Sequence, residues 1–159
     1  DREKMNALLM GYYTGMIANL MSIGGPEVDP SDPISDFWDH THEFLPPTGA
    51  MLIARQGDNW VGTGAFRALP GNRAELKRLY VDPKMRGTGL GRRLVTERVD
   101  IAREQGITKL VVDTITPTTE MQALYRSLGF VETGPYPESV SYITLPQIRD
   151  YLLFFEKSL

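Results

Sequence analysis

The chain has 159 residues, a formal net charge of −3, 42% hydrophobic and 23% charged residues, and no cysteine. That is enough chain for one domain with a sizeable core, in proportions ordinary for a globular protein. The charge gives nucleic-acid binding no support. The missing cysteines exclude disulfides, thiolate metal sites and any acyl-cysteine intermediate, and no apolar run reaches the roughly 18 residues of a membrane span.

From the N-terminus, Met5, Leu8, Leu9, Tyr12, Tyr13, Met16, Ile17 and Leu20 recur at three- and four-residue spacing. This predicts a helix from Asp1 to about Met21, weakened by Gly11 and Gly15. Its methionine and tyrosine stripe reads as core, or alternatively as one wall of a substrate pocket. Residues 22–33 break the pattern with Gly24-Gly25-Pro26. Ser31 or Asp32 then caps a second helix, with Pro33 at its first position, running to about Phe44. Pro46-Pro47 ends that region. His40 and His42 are the only histidines. Two apart on a helix, they diverge, so no metal site is expected.

Residues 50–55 and 60–67 read as a hairpin joined by residues 56–59, and Pro70-Gly71-Asn72 turns into a third strand, residues 74–81. Asp82-Pro83 stops that strand, because proline removes a donor and restricts the residue before it. Arg86-Gly87-Thr88-Gly89-Leu90-Gly91 follows and leads into a helix. Leu94, Val95, Val99 and Ala102 form that helix's apolar side. Arg98 interrupts the side and is read as snorkelling to solvent. Gly106 closes the helix. Residues 109–115 form a strand whose Leu110-Val111-Val112 centre suits burial on both faces. Residues 116–119 cap a helix over 120–128, Gly129 ends it, and residues 130–133 resume as a strand. Alternating strands and helices imply a parallel pairing at the centre. Residues 135–146 read as a loop in which 143–145 could pair as a short strand. Residues 151–156 read as a last strand, although Leu152-Leu153-Phe154-Phe155 also suits a short helix.

The segment 74–91 organises the rest. Three glycines in five residues allow close backbone approach to a ligand, and the loop feeds a helix N-terminus, where free N–H groups and the helix dipole favour an anion. A bare turn that starts a helix is the bland alternative. There is no Gly-Lys-Ser/Thr, and Gly87-x-Gly89-x-Gly91 is not the dinucleotide fingerprint. The pattern present is Arg86-x-x-Gly89-x-Gly91 after Leu79-Tyr80-Val81-Asp82-Pro83. It resembles the acyl-coenzyme A pyrophosphate loop of the GNAT superfamily of N-acetyltransferases. A second stretch, Ala123-Leu124-Tyr125-Arg126-Ser127-Leu128-Gly129-Phe130, is similar to that family's alanine-x-tyrosine-x-x-x-glycine-phenylalanine segment.

The resemblance spans nearly the whole chain and implies one acetyltransferase domain over residues 1–159. Its fold would be α/β (α+β) in three layers, with a mixed, mostly antiparallel sheet splayed between two parallel central strands. It implies acetyl-coenzyme A as co-substrate, no metal, and a pantetheine arm pairing with backbone at Leu79 and Val81. Arg86, Gly87, Thr88, Gly89, Gly91 and Arg92 would surround the pyrophosphate. Many members carry an asparagine six residues before the tyrosine; here Thr119 stands there, a shorter group for the same cofactor contact. The family's usual first strand is not evident, and the chain starts at Asp1 rather than methionine, so residues upstream are expected. No signal peptide is visible, and a cytoplasmic protein, with a homodimer left open, is expected.

An amine attacks a thioester only when neutral, and with a pKa near 10.4 about one lysine-like amine in a thousand is neutral at pH 7. Glu75 is the candidate base, at a carboxylate position that some relatives use. A surface glutamate paired with Lys77 is the alternative. A strand N–H near Leu79 can stabilise the oxyanion. Tyr125, besides its cofactor contact, matches the position that donates a proton to the departing thiolate. The expected function is transfer of an acetyl group to a primary amine of a small molecule or peptide, by direct attack in a ternary complex. The alternatives are a non-catalytic coenzyme A-binding sensor or structural module and an unrelated nucleotide-binding protein, the latter disfavoured by the missing P-loop lysine.

Overall fold

The computed structural model describes residues 1–159. The sheet is mixed, with six strands in the order β1-β2-β3-β4-β6-β5. β1 (Gly49–Gln56), β2 (Asn59–Leu69) and β3 (Arg73–Val81) form an antiparallel meander. β3 then runs parallel to β4 (Lys109–Ile115), but only Arg73, Ala74 and Glu75 pair, opposite Lys109, Leu110 and Val111. Beyond those residues the two strands part. β4 pairs along its whole length with β6 (Leu152–Ser158), and the short β5 (Val131–Thr133) lies on β6's far edge. The sheet is thus two half-sheets hinged at one end of the β3–β4 pair.

Each face is closed by helices. On one face α3 (Leu90–Glu104) and α4 (Thr119–Ser127) cover a core of Phe66, Leu76, Val95, Val99, Leu110, Val112, Tyr125, Phe130 and Phe155. On the other, α1 (Arg2–Ser22) and α2 (Ser31–Asp39) cover Ala65 of the first half-sheet with Leu9, Tyr13, Ile17 and Phe37. Near its C-terminal end α1 reaches the second half-sheet, where Leu20 joins Val111, Ile115 and Phe154. α1 therefore bridges the parting, with Met16 packed against both clusters.

Local chemistry explains most of these elements. Asp1 caps α1 through Lys4 N–H, and the helix continues unbroken through Gly11 and Gly15. A Cβ at Gly11 would sit 2.6 Å from Cζ of Tyr80, a half-buried side chain on β3, so the glycine leaves room for that ring. The predicted long second helix is divided: α2 ends at Asp39, and a separate 3-10 turn, Thr41–Phe44, follows. Thr41 makes that break, its hydroxyl bonding back to the carbonyls of Phe37 and Trp38. The start also differs. Ser31 is already helical, and the Asp29 carboxylate takes its N–H, leaving Pro33 inside the first turn. Residues 140–144 form a short helix, α5 (Val140–Thr144), instead of the short strand expected at 143–145. Ser139 directs that outcome by capping Tyr142 N–H. Residues 152–158 are strand, settling the alternatives there. No helix is long and apolar enough to cross a membrane.

Candidate active site

β3 carries the sequence-predicted residues towards the opening. At its far end Tyr80 and Val81 pair with β2, Leu79 lies in a β-bulge, and no strand pairs on the other side. Asp82 closes the strand by accepting Lys84 N–H, and a 3-10 turn, Pro83–Met85, leads into the glycine loop. Thr88 is tied inward, its hydroxyl bonding Met85 carbonyl at 2.6 Å. Gly87 and Gly89 hold φ of 77° and 85°, and a Cβ at either would project into open space. Gly89 precedes α3 without any side-chain cap, and the first helical hydrogen bond is Arg93 N–H to Gly89 carbonyl. The N–H groups of Leu90, Gly91 and Arg92 are therefore free of helical partners, as at any helix start. Gly91 lies beside Val81 and Leu124, each 3.8 Å from its Cβ position, so α3 begins close against strand and α4. Arg86 and Arg92 are exposed at this end, and Arg92 bonds Ser127 Oγ at 2.8 Å. Thr119 stands exposed in the first turn of α4.

Tyr125 projects from α4 into the core between Phe130 and Phe155 and is 3% exposed. Burial pushes its phenol up from the usual value, and the nearby Arg98 guanidinium pulls it partway back. Arg98 corrects the snorkelling expectation, being fully buried. Its Nε donates to Leu94 carbonyl, and its Nη1 donates to the carbonyls of Ala65 and Lys77. Ala65 and Lys77 face each other at the edge of a β-bulge, where the β2–β3 register shifts. Arg98 thus pins the bulge from behind, while its Nη2 has no partner.

Glu75 lies on the opposite, α1-side face and is likewise fully buried. Its Oε2 accepts from Arg67 Nε at 2.9 Å, and its Oε1 accepts from Lys77 Nζ and the Tyr136 hydroxyl, both at 3.1 Å. Arg67 also bonds Glu43 at 2.9 Å. The surface pairing imagined for Glu75 is a buried network instead. Burial, with Asp113 and Glu75 nearby, pushes the Tyr136 phenol far up. Tyr12 is pushed up by burial as well, with Tyr13, Arg78 and Asp113 all acting on it. The first helix and the segment after Gly134 therefore meet on Glu75's face of the opening.

Two residues here escaped the sequence reading, and Arg98, a charge in an apolar stripe, was read as solvent-facing. Asp113 was visible as an acid in a buried strand, and it accepts from Ser139 Oγ at 2.6 Å. Arg78, in the bulge with φ of 52°, left no sequence signal.

A sheet that parts beside a glycine-cradled helix start is the architecture of one enzyme class. The sequence profile of the Acetyltransferase (GNAT) family matches residues 13–130, and the chain belongs to that family. Among curated proteins it is similar to an IAA acetyltransferase of Azospirillum brasilense, 37% identical over 91 residues that cover 57% of this chain and 60% of that protein. It is also similar to human N-acetyltransferase 8, 32% identical over 107 residues, 63% of this chain and 47% of that protein. The matches cover only 60% and 47% of the lengths of these relatives. A GNAT-family acetyltransferase from Staphylococcus aureus Mu50 superposes with a TM-score of 0.75 at 22% identity, covering 97% of this chain and 92% of that one. PaiA N-acetyltransferase from Thermoplasma acidophilum, solved with coenzyme A, gives 0.73 at 16% identity, covering 100% and 93%. At such identities the fold is what is shared.

Proposed function

We propose that this chain transfers an acetyl group from acetyl-coenzyme A to a primary amine of a small molecule or peptide, by direct attack in a ternary complex. The observation that carries the reading is the parting of β3 and β4 next to an uncapped helix start. The residues present fit the cofactor: open space at Gly87 and Gly89 admits a pyrophosphate to the backbone, and α3 offers unpaired N–H groups. Acetyl-coenzyme A, when bound, supplies an activated thioester. Arg86 and Arg92 add positive charge around the phosphates, Thr88 and Gly91 line the same turn, and Thr119 offers its hydroxyl from α4. The free edge of Leu79 and Val81 would hold the pantetheine amides in place of a missing strand, and the N–H near Leu79 would stabilise charge developing on the thioester carbonyl oxygen.

Tyr125 is protonated across the neutral range, its phenol pushed up by burial and drawn partway back by Arg98, and would give that proton to the departing sulfur. Glu75 receives the amine's proton, with the Tyr136 hydroxyl on Oε1 as the route. With no cysteine in the chain, no thiol can carry the acetyl group.

The test is thiol release from acetyl-coenzyme A across amines, amino acids and peptides, followed by initial-rate kinetics and intact mass. Intersecting double-reciprocal lines are expected, with no acetylated protein. Parallel lines with an acetyl adduct formed and consumed at the catalytic rate would refute direct transfer. Tight cofactor binding without turnover on any amine would favour a coenzyme A sensor.

A further inference from the structure

Arg78 is a buried cation without a counter-charge. It is 8% exposed, and no carboxylate lies within ion-pair distance. Nε donates to the Tyr13 hydroxyl at 3.2 Å, while Nη1 is buried with no partner at all. The Phe44 and Phe37 rings, stacked on each other 6.1 Å apart, lie 4.3 Å and 5.0 Å from its Cζ without sandwiching it. Aromatic rings attract a guanidinium without taking up its donors, whereas a carboxylate binds in its plane, along the N–H edges. The edge carrying Nη1 is the part left unsatisfied. An unpaired buried charge is expensive, and so is a non-glycine residue at φ of 52°. The fold sustains both at the bulge, three residues past the last β3–β4 pair.

The neighbouring charges on this face are already matched. Arg67 and Lys77 are bonded to Glu43 and Glu75. Across the opening, Asp113 on β4 is held by Ser139 Oγ and by no cation. Tyr12 of α1 lies within electrostatic reach of both Arg78 and Asp113. One spare cation and one spare anion therefore flank the parting, on the face away from the α3–α4 core.

We infer that the acceptor is an amino-acid-like zwitterion, its carboxylate held in plane by Arg78 and its amine directed to the Asp113 side of the opening. This rests on the acetyl-transfer reading and names that reaction's acceptor class. A molecule with one charge of each sign leaves the face's charge balanced, which a simple amine does not.

The test pairs each probe with a partner lacking one group. L-leucine, L-phenylalanine and glycine are compared with 3-methylbutylamine, 2-phenylethylamine and methylamine, and leucinamide checks that the carboxylate, not mere size, matters. Binding is read by calorimetry with coenzyme A present, and turnover by thiol release. At least one amino acid is expected to bind about tenfold or more tighter than its decarboxylated partner and its amide. Arg78→Gln should collapse that ratio towards one, and Arg78→Lys should retain part of it. Unchanged coenzyme A affinity certifies the fold of each variant. If acids and amines bind alike, if neither binds, or if Arg78→Gln keeps the ratio, the inference is overturned. Should Arg78→Gln not fold, the wild-type ratio still decides. Rapid acetylation of amines lacking a carboxylate would overturn the inference and leave acetyl transfer standing. Selective binding of the acids without turnover would do the reverse.

Discussion

Arg98 and Gly64 meet in a contact that admits no extra atom. A Cβ at Gly64 would fall 2.9 Å from Arg98 Nε, within a buried side chain that holds three carbonyls. Gly64→Ala should therefore destabilise the protein by about 1–3 kcal/mol, the usual range for overpacking. Urea unfolding measures this, and an unchanged midpoint would show that Arg98 yields freely. Tyr125, near Arg98 on the same face, gives a kinetic prediction. Tyr125→Phe keeps the ring packed against Phe130 and Phe155 but removes the proton donor. Turnover should fall by roughly ten- to a thousandfold, with cofactor affinity little changed. The sign of the pH effect follows from burial. A folded pKa raised above 10.0 keeps the phenol protonated at lower pH, so any alkaline loss of turnover due to Tyr125 lies above that value. A loss below pH 9 that vanishes in the Phe variant would contradict the assignment.

Helix α1 packs against both half-sheets on the face away from the α3–α4 core. At Gly11 its intrinsic preference and its tertiary role oppose each other. Alanine gains about 1 kcal/mol as a helix former, yet its Cβ would strike the Tyr80 ring. Gly11→Ala is expected to lower the melting temperature, because the Tyr80 ring must shift to admit the methyl group. A rise would mean that Tyr80 swings aside at small cost. The same residue shows how legible the chain was. The periodicity of Met5 to Leu20 located α1, but Gly11 looked like a weakness, because its partner Tyr80 is distant in sequence. The meander, the glycine loop, α3, β4 and α4 carry strong local signals: turn residues, amphipathic stripes and a β-branched run. The 140–144 helix does not, since Val140, Ile143 and Thr144 favour a strand and the Ser139 cap outweighs them. At the site, the loop and Tyr125 were readable as motifs. The buried pairing of Glu75, the bulge at Arg78 and the exposure of charge at Asp113 arise from cross-strand register, which no local pattern encodes.

On the scale of the molecule, three residue pairs, helix α1 and the α3–α4 core join the half-sheets. A ligand seated in the parting adds contacts to both β3 and β4, so its binding energy should appear as global stability. At a concentration one hundred times its dissociation constant, acetyl-coenzyme A should add about 2.7 kcal/mol. For a chain of this size that is roughly 5–11 °C in melting temperature. Amide exchange should slow along residues 76–81 and 112–115 together, since the ligand spans strands that no longer pair with each other. Gly89→Val is the control. A β-branched residue at φ of 85° is itself strained, and its side chain projects into the space proposed for the pyrophosphate. Absolute stability will therefore drop without ligand, and the informative quantity is the shift on adding cofactor. Affinity should weaken by at least about tenfold, 1.4 kcal/mol, shrinking that shift at fixed ligand concentration. If the variant keeps the full shift, the cofactor is held elsewhere. If exchange slows only in the loop and α3, the ligand does not reach into the parting, and the path proposed for the pantetheine arm is wrong.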